Sequence, residues 1–575
     1  MRVLATNSGK MSSDELFRRL LTGDISQDEL EKNPDLVTLA MRIYGREALE
    51  DLGVKITQLE TPEVLPKKYD FDDIELPQTN LEPQKHQNYE SGKNLSLSFV
   101  SSTKQALSSS KTRKILLLGL AIRLFLAPWT SHSTDVATHF LGVSDMIQNS
   151  SSPYASLDYS YPPVFIITLY PVFWIASLFS DPGTWASTPG EMDNLCADVS
   201  ICTTIVPSST FIFFMKIPLI ISDVLAGLVI YSIIHHIRDA NMARKGMAIY
   251  LLNPLTIWVS SVLGQSDSML AMFVLFSIYY LAKDELIPSG IMFGLSVMTK
   301  GYSLPLAVYI GTFAVLFSSQ LTRSGPSFGK KEVYSGMKIG FSSLFVAISL
   351  TLPMLTLGGG GVIFSRQIQR PFRPGGVSPF SLTRFDFVPT EEINQGGTAL
   401  SVVELLHNIG LEYFIGIIVA FYMYKRTSEK GFTRFQSLIL GCTTHIYFLI
   451  FLLGSVNAQY LVVLVGMLTI SCFLVEQSER PMRYLTFGTI FAALFGISIV
   501  TFSYDLIPLA ANTDILELDK LIDSILTQWN SPGILTSKAR EDRSSLFGFF
   551  SWLFITACFT SVFYGMIKTG RETDV

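Results

Sequence analysis

Charge is what this sequence has least of. Only 16% of its 575 residues are Asp, Glu, Lys or Arg, against about 25% in a soluble globular domain. A chain so poor in charge does not cover itself with a solvated surface. Cysteine is scarce too: five residues, widely spread and never in a C-x-x-C pair, so zinc and redox readings have no support. The N-terminal stretch has no apolar core of the kind a secretory signal needs. What fills the chain is apolar: 48% of residues are hydrophobic, 12% aromatic and 41 are Phe, and the mean hydropathy is +0.37. From Ile115 onward, apolar runs long enough to cross a bilayer recur. This is the pattern of an all-α polytopic membrane protein. The formal net charge of −5 identifies no partner, because the charges sit in loops of alternating sign. Membrane lipids are the expected surroundings, and no nucleic-acid partner is expected.

The chain divides into three parts. Residues 1–62 hold two amphipathic stretches, 12–21 and 34–52, and read as a small helical cytoplasmic segment. Residues 63–110 are polar and read as a linker. Residues 111–575 read as the transmembrane domain. Lys111, Arg113 and Lys114 precede the first span, and basic clusters at Arg244, Lys330 and Lys425 follow later ones. Basic residues mark the cytoplasmic side. The result is about twelve spans with both termini inside. Counting residues 164–180 as a span would put those clusters outside, so that run is expected to lie along, or dip into, the outer face. Two long external loops follow, 130–210 and 358–400. Cys196 and Cys202 share the first, and whether they are bonded stays open.

Unusual residues collect in the external stretches. The first loop holds Asp135, His139, Asp145 and Asp158; the turn 264–268 holds Gln265 and Asp267; the second long loop holds Arg366, Arg370 and Arg373; the turn 455–460 holds Gln459. Arg123, Lys216, Asp223 and Lys300 lie in or at the ends of apolar spans. A charge at the bilayer centre costs about 2.5–3.5 kcal/mol on insertion scales, so such residues pair up or line a cavity. For Lys216, Asp223 and Lys300 the alternatives are a structural ion pair with interfacial anchoring, or an anionic lipid head group held beside them. Arg123 is read equally as a phosphate contact and as an anchor. His445, alone in mid-span, reads as a structural histidine.

Several of these residues sit in motifs that resemble one superfamily. Ser152-Pro153-Tyr154 with Tyr159, Tyr161 and Pro162 resembles the GPI mannosyltransferase that adds the first mannose. So do Lys216 with Ser222-Asp223, Leu252-Asn253-Pro254, Met298-Thr299-Lys300 with Tyr302, Ser378-Pro379-Phe380 and Gln459-Tyr460. His132-Ser133-Thr134-Asp135 and Asp158-Tyr159 with Tyr161-Pro162-Pro163 resemble the dolichyl-phosphate-glucose-dependent glucosyltransferases. Together these motifs run from about Arg113 to Val465 and are similar to the GT-C glycosyltransferases.

The resemblance implies a GT-C fold. It also implies transfer of a hexose, mannose ahead of glucose, from a polyprenyl-phosphate or dolichyl-phosphate carrier to a lipid-linked acceptor at the external face. An acceptor hydroxyl needs a base, and Asp135 matches that role. A phosphate leaving group needs only cations; Lys300, with Lys216 or an arginine such as Arg370, would supply them, and attack opposite the phosphate would invert the anomeric centre. Arg123, Asp223, Tyr154, Tyr161, Gln265, Asp267 and Gln459 are the further expected substrate-binding residues. The GPI enzyme has Asp-x-Asp where this chain has Asp135-Val136-Ala137. No cofactor is therefore expected, and a metal is not favoured, although Asp267 stands ready as a second carboxylate. The rival class is a polytopic transporter or flippase of lipid-linked sugars; no internal repeat of the kind transporters show is visible. The expected location is a prokaryotic plasma membrane, or the ER membrane if the host is eukaryotic.

Overall fold

The computed structural model describes residues 99–150, 152–156, 159, 161–187, 205–303, 330–356, 411–429, 432–448, 457–475, 478–499, 505–521, 523–524 and 534–569. The expected N-terminal segment, Cys196, Cys202, Arg370 and the second long external loop lie outside the described residues.

Helix α1 (Phe99–Ser108) runs within the stretch expected to be linker. Ser102 and Ala106 are buried, and Phe99 meets Phe276 edge-on at 5.0 Å. Helix α2 (Ser110–Leu126) is the first apolar run, and the Ser109 side chain caps it by accepting from Thr112 N.

The stretch expected to form the first external loop is built on two helices, α3 (Ser133–Gln148) and α4 (Pro163–Ser177). Pro163 opens α4 because a first-turn residue needs no N–H donor. The helix has 15 residues, roughly 22 Å, which is short of a ~30 Å hydrocarbon core. Val164, Phe165, Ile166, Leu169 and Phe173 face the protein, while Trp174, Ile175 and the following Leu178 and Phe179 are exposed. An apolar face turned outward on a short helix is what an interfacial segment presents. The loop departs from a purely helical reading at one point: β1 (Ala186–Ser187) pairs antiparallel with β2 (Val206–Pro207).

Helix α5 (Ser209–Ile237) is the longest buried element, with 29 residues. Residues 240–263 do not form one straight helix. Helix α6 (Ala240–Leu251) and the segment Pro254–Leu263 meet at 48°. Pro254 cannot continue the helix before it, and Asn253 caps the new one, its side chain accepting from Leu255 N at 3.0 Å. Residues Trp258–Leu263 are wound as a π-helix, and Gly264 ends it in the left-handed conformation at φ 75°.

Helices α7 (Asp267–Ala282) and α8 (Leu286–Val297) follow. Helix α9 (Lys330–Thr356) lies against α8 so closely that a Cβ on Gly294 would come 2.7 Å from Ser343 O. Small residues at such a crossing let backbones approach within the bilayer. The opposite side of α9 exposes Phe341, Phe345, Ile348 and Leu352, a face suited to lipid.

The remaining helices are α10 (Leu411–Glu429), α11 (Arg434–Tyr447), α12 (Leu461–Cys472), α13 (Glu479–Ile499) and α14 (Ile534–Thr569). Every residue of α12 is buried, so it forms the centre of the bundle, packed against α7, α11 and α13. Among the described residues, three helices are long and apolar enough to cross a membrane, or up to four with the bent pair counted as one. The chain is an all-α polytopic membrane protein. A count of about twelve spans needs shorter apolar helices such as α7, α8 and α12 as well.

Candidate functional site

Asp135 stands in the first turn of α3, and three side chains converge on it. Tyr161, just before α4, donates its hydroxyl to Asp135 Oδ1. Gln265, in the turn after the π-helix, donates its amide Nε2 to Oδ2. His132 Nδ1 lies 3.1 Å from Oδ2, with the two side chains 24% and 20% exposed. The main chain fixes this arrangement: His132 N donates to Leu263 O at 3.2 Å, which ties the start of α3 to the end of the π-helix. Burial works to raise the Asp135 proton affinity, but the charge of His132 and the hydrogen bonds from His132 and Tyr161 outweigh it. The carboxyl is held well below the usual carboxylate range. Burial opposes charge on His132, yet Asp135 and then Asp505 overcome it and push that imidazole above the ordinary histidine value.

Gln265 links this carboxylate to a cation. Its Oε1 accepts from Lys300 Nζ at 3.2 Å, and Lys300 also binds Asp267 Oδ2 at 2.5 Å. The orientation of the Gln265 amide thus follows from charge, with its NH2 on the carboxylate and its oxygen on the ammonium. Lys300 Nζ further sits 5.4 Å from the Tyr460 ring. The main-chain bond from Val164 N to Met298 O, 3.1 Å, holds the end of α8 against the start of α4. Asp135, Gln265, Lys300 and Tyr460 therefore share one end of the bundle.

Aromatic side chains support Asp135 from below. His139 Nδ1 lies 3.0 Å from the Tyr159 hydroxyl, and its ring is 4.8 Å from both Tyr161 and Phe165. Tyr154 donates its hydroxyl to Tyr161 O at 2.8 Å. Burial drives His139 down to about 4 despite Asp135, so it is neutral at physiological pH and serves this cluster as a packed ring.

Lys216 and Arg123 are occupied elsewhere. Lys216 Nζ donates to four main-chain carbonyls: Ser261 at 2.7 Å, Val262 at 3.0 Å, Ala127 at 3.1 Å, and Thr130. Ala127 and Thr130 follow α2, while Ser261 and Val262 end the π-helix. The last carbonyls of a helix lack intrahelical donors, and one ammonium here satisfies two helix ends. Arg123 binds Asp223 Oδ2 at 2.9 Å, Leu251 O at 2.6 Å and Thr256 Oγ1 at 3.0 Å, and Tyr250 donates to Asp223 Oδ1 at 3.4 Å. All of Arg123, Asp223 and Lys216 are fully buried.

Of the residues singled out from sequence, Asp135, Tyr161, Gln265, Asp267 and Lys300 come together. Tyr154 supports them at one remove. Gln459 is half-buried in the turn beside Tyr460. Arg123, Asp223 and Lys216 form buried braces behind the site. Sequence reasoning did not single out His132 as a working group, and it passed over Asp505. Asp505 lies between α13 and a short helix at Ile507–Asn512, and its carbonyl accepts from Ser131 N at 3.0 Å. The only local signal was an acid just past an apolar run expected to end on the external side. Among the described residues no group of three His, Cys, Asp or Glu side chains is placed to hold a metal ion. Ala137 is fully buried, and Asp267 is engaged by Lys300. The donor set around Asp135 does not fit a two-carboxylate metal centre.

Residues 95–364 match the family model described as GPI transamidase subunit PIG-U, a little under half of the chain. GPI mannosyltransferase 1 of Saccharomyces cerevisiae is 27% identical over 157 residues, 27% of this chain and 37% of that protein. The protein of the same name from Dictyostelium discoideum is 27% identical over 295 residues, 47% of this chain and 58% of that one. The Candida albicans protein is 27% identical over 186 residues, covering 32% and 37%. Over part of its length the chain is similar to these GPI proteins. It spans between 37% and 58% of the length of these relatives. At family level the likeness is to membrane mannosyltransferases and to a transamidase subunit. All three relatives are eukaryotic, so the expected prokaryotic plasma membrane gains no support.

Proposed function

We propose that the chain holds the mannose-bearing head group of a GPI-type lipid at the luminal end of its helical frame, as a lipid-recognising subunit of a GPI transamidase. The carrying observation is the state of Asp135. A base that takes a hydroxyl proton works best with a proton affinity near the operating pH. Asp135 is held far below that range, both its oxygens are engaged, and Ala137 stands where the resembling transferase has a second acid. An ionised carboxylate flanked by an amide and a phenol is suited instead to hydrogen-bonding sugar hydroxyls, which can take over the bonds Tyr161 and Gln265 now make to Asp135. The family match over residues 95–364 supports the same reading.

A second reading is favoured by the names of the curated relatives. In it, Asp135 takes the acceptor proton as the hydroxyl attacks the anomeric carbon of a dolichyl-phosphate-linked mannose. The phosphate departs toward Lys300, released from Asp267, and the configuration inverts. Both readings use about twelve spans with both termini cytoplasmic, in the ER membrane, and neither needs a cofactor.

One experiment separates them. The purified chain is given dolichyl-phosphate-mannose with extracted lipid acceptors, and separately a GPI-type lipid, with native mass spectrometry on both. Retention of the GPI lipid without mannose transfer supports recognition. Transfer that falls about 10²–10⁴-fold in Asp135→Asn replaces it with the transferase reading. Neither transfer nor retention defeats both.

A further inference from the structure

Asp505 is the one acid in this region that the site description leaves without a task. Its side chain is buried, 1% exposed, and neither carboxylate oxygen has a hydrogen-bond partner among the described residues. A buried carboxylate without donors is costly unless a charge beside it compensates. Its main chain is bonded to Ser131, the residue before His132. The charged groups acting on it are His132 and, from α5, Lys216. Those acting on His132 are Asp135 and Asp505. Asp135 is in turn faced by His132, Tyr161 and His139. The imidazole of His132 thus contacts Asp135 at 3.1 Å and feels the charge of Asp505 behind it through space.

We propose that Asp505 is a positioning residue of the Asp135 site, acting through His132: its carboxylate supplies the second negative charge that keeps the imidazole protonated and directed at Asp135. Lys216 is committed to carbonyls of two helix ends and supplies the balancing charge without moving. Burial raises the Asp505 carboxyl to about 7, against the pull of His132 and Lys216, so it changes charge near neutral pH. Above that pH it is ionised, the His132–Asp135 contact is held, and the cluster carries one more negative charge. Below it the cluster gains one positive charge while Asp135 stays ionised. An anionic lipid head group at the site, as the proposed function requires, is then held more tightly on the acid side of neutrality. That consequence rests on the proposed function; the coupling between Asp505 and His132 does not.

The test therefore reads His132 directly. Diethyl pyrocarbonate acylates the neutral imidazole, and peptide mass spectrometry follows His132 alone across pH in the detergent-solubilised full chain. In the wild type, protection of His132 should persist above pH 6.5, the ordinary histidine value. Asp505→Asn should react faster at pH 7, by roughly threefold, and Asp505→Glu should return the profile toward wild type. Wild-type protection lost below pH 6.5, or an Asp505→Asn profile that overlays the wild type, overturns the proposal. The wild-type arm stands even where the variant does not fold. Anionic-lipid binding measured at pH 6 and pH 8 is a separate arm: a pH response absent from binding but present at His132 counts against the proposed function, not against the coupling.

Discussion

Replacing Lys216 by Met tests whether this residue braces the site or binds a ligand. Four carbonyls accept from its ammonium. A hydrogen bond to a charged group contributes about 1.5–3 kcal/mol, and multiplying that by four overstates the loss. Burying an ammonium costs several kcal/mol, which Met avoids. What decides the sign is the pair of helix ends left behind. An unpaired buried acceptor costs about 1–3 kcal/mol. The four carbonyls left without a donor cost about 4–12 kcal/mol together, and subtracting the several kcal/mol of relieved desolvation leaves a net loss on the order of a few kcal/mol. The loss has a local consequence. The segments freed from each other carry His132 and Gln265, so the Asp135 contacts loosen. Thermal unfolding in detergent, followed by tryptophan fluorescence, should show a clear fall in midpoint, with GPI-lipid retention reduced alongside it. An unchanged midpoint with a raised lipid requirement would refute the argument and make Lys216 a ligand contact.

Gly264→Ala should destabilise the turn that carries Gln265. The backbone there is left-handed at φ 75°, and a Cβ would meet Met215 Cε at 2.9 Å and Lys216 Cε at 3.0 Å. Left-handed backbone costs an L-residue about 1–2 kcal/mol, and limited proteolysis or unfolding should show at least that, whereas wild-type stability would contradict it. Asp505→Asn should stabilise the fold at alkaline pH. A carboxyl raised from 3.8 to about 7 carries no penalty below its unfolded value, and the penalty grows as pH rises and is complete above the folded value. Asn removes up to about 4 kcal/mol of cost at pH 8 and almost none at pH 4. Unfolding midpoints at the two pH values check this, and a variant less stable than wild type at pH 8 would refute it.

Composition and hydropathy alone determined the class. A chain with so little charge and so many apolar runs has to bury its backbone in helices inside lipid. The convergence at one end was legible too. Asp135, Gln265, Lys300 and Gln459 lie in turns that a simple inside–outside count puts on the same side, and the structure brings the first three into one hydrogen-bonded chain with Tyr460 beside Lys300. The apolar run 164–180 was expected to lie along the outer face, because counting it as a span would have inverted every basic cluster after it, and the helix found there has 15 residues. What each buried charge is engaged with was not readable. Lys216 and Asp223 lie on the same face of α5, yet one caps two helix ends and the other binds Arg123. That outcome depends on the 48° break between α6 and the π-helix, which aims carbonyls of Ser261 and Val262 at Lys216. Asp505 becomes part of the site only because its main chain meets Ser131. Hydropathy and local spacing act along the chain, whereas the partners of a buried charge are chosen by segments far apart in it, 100 residues in the case of Arg123 and Asp223. Only the tertiary structure determines which of those segments meet.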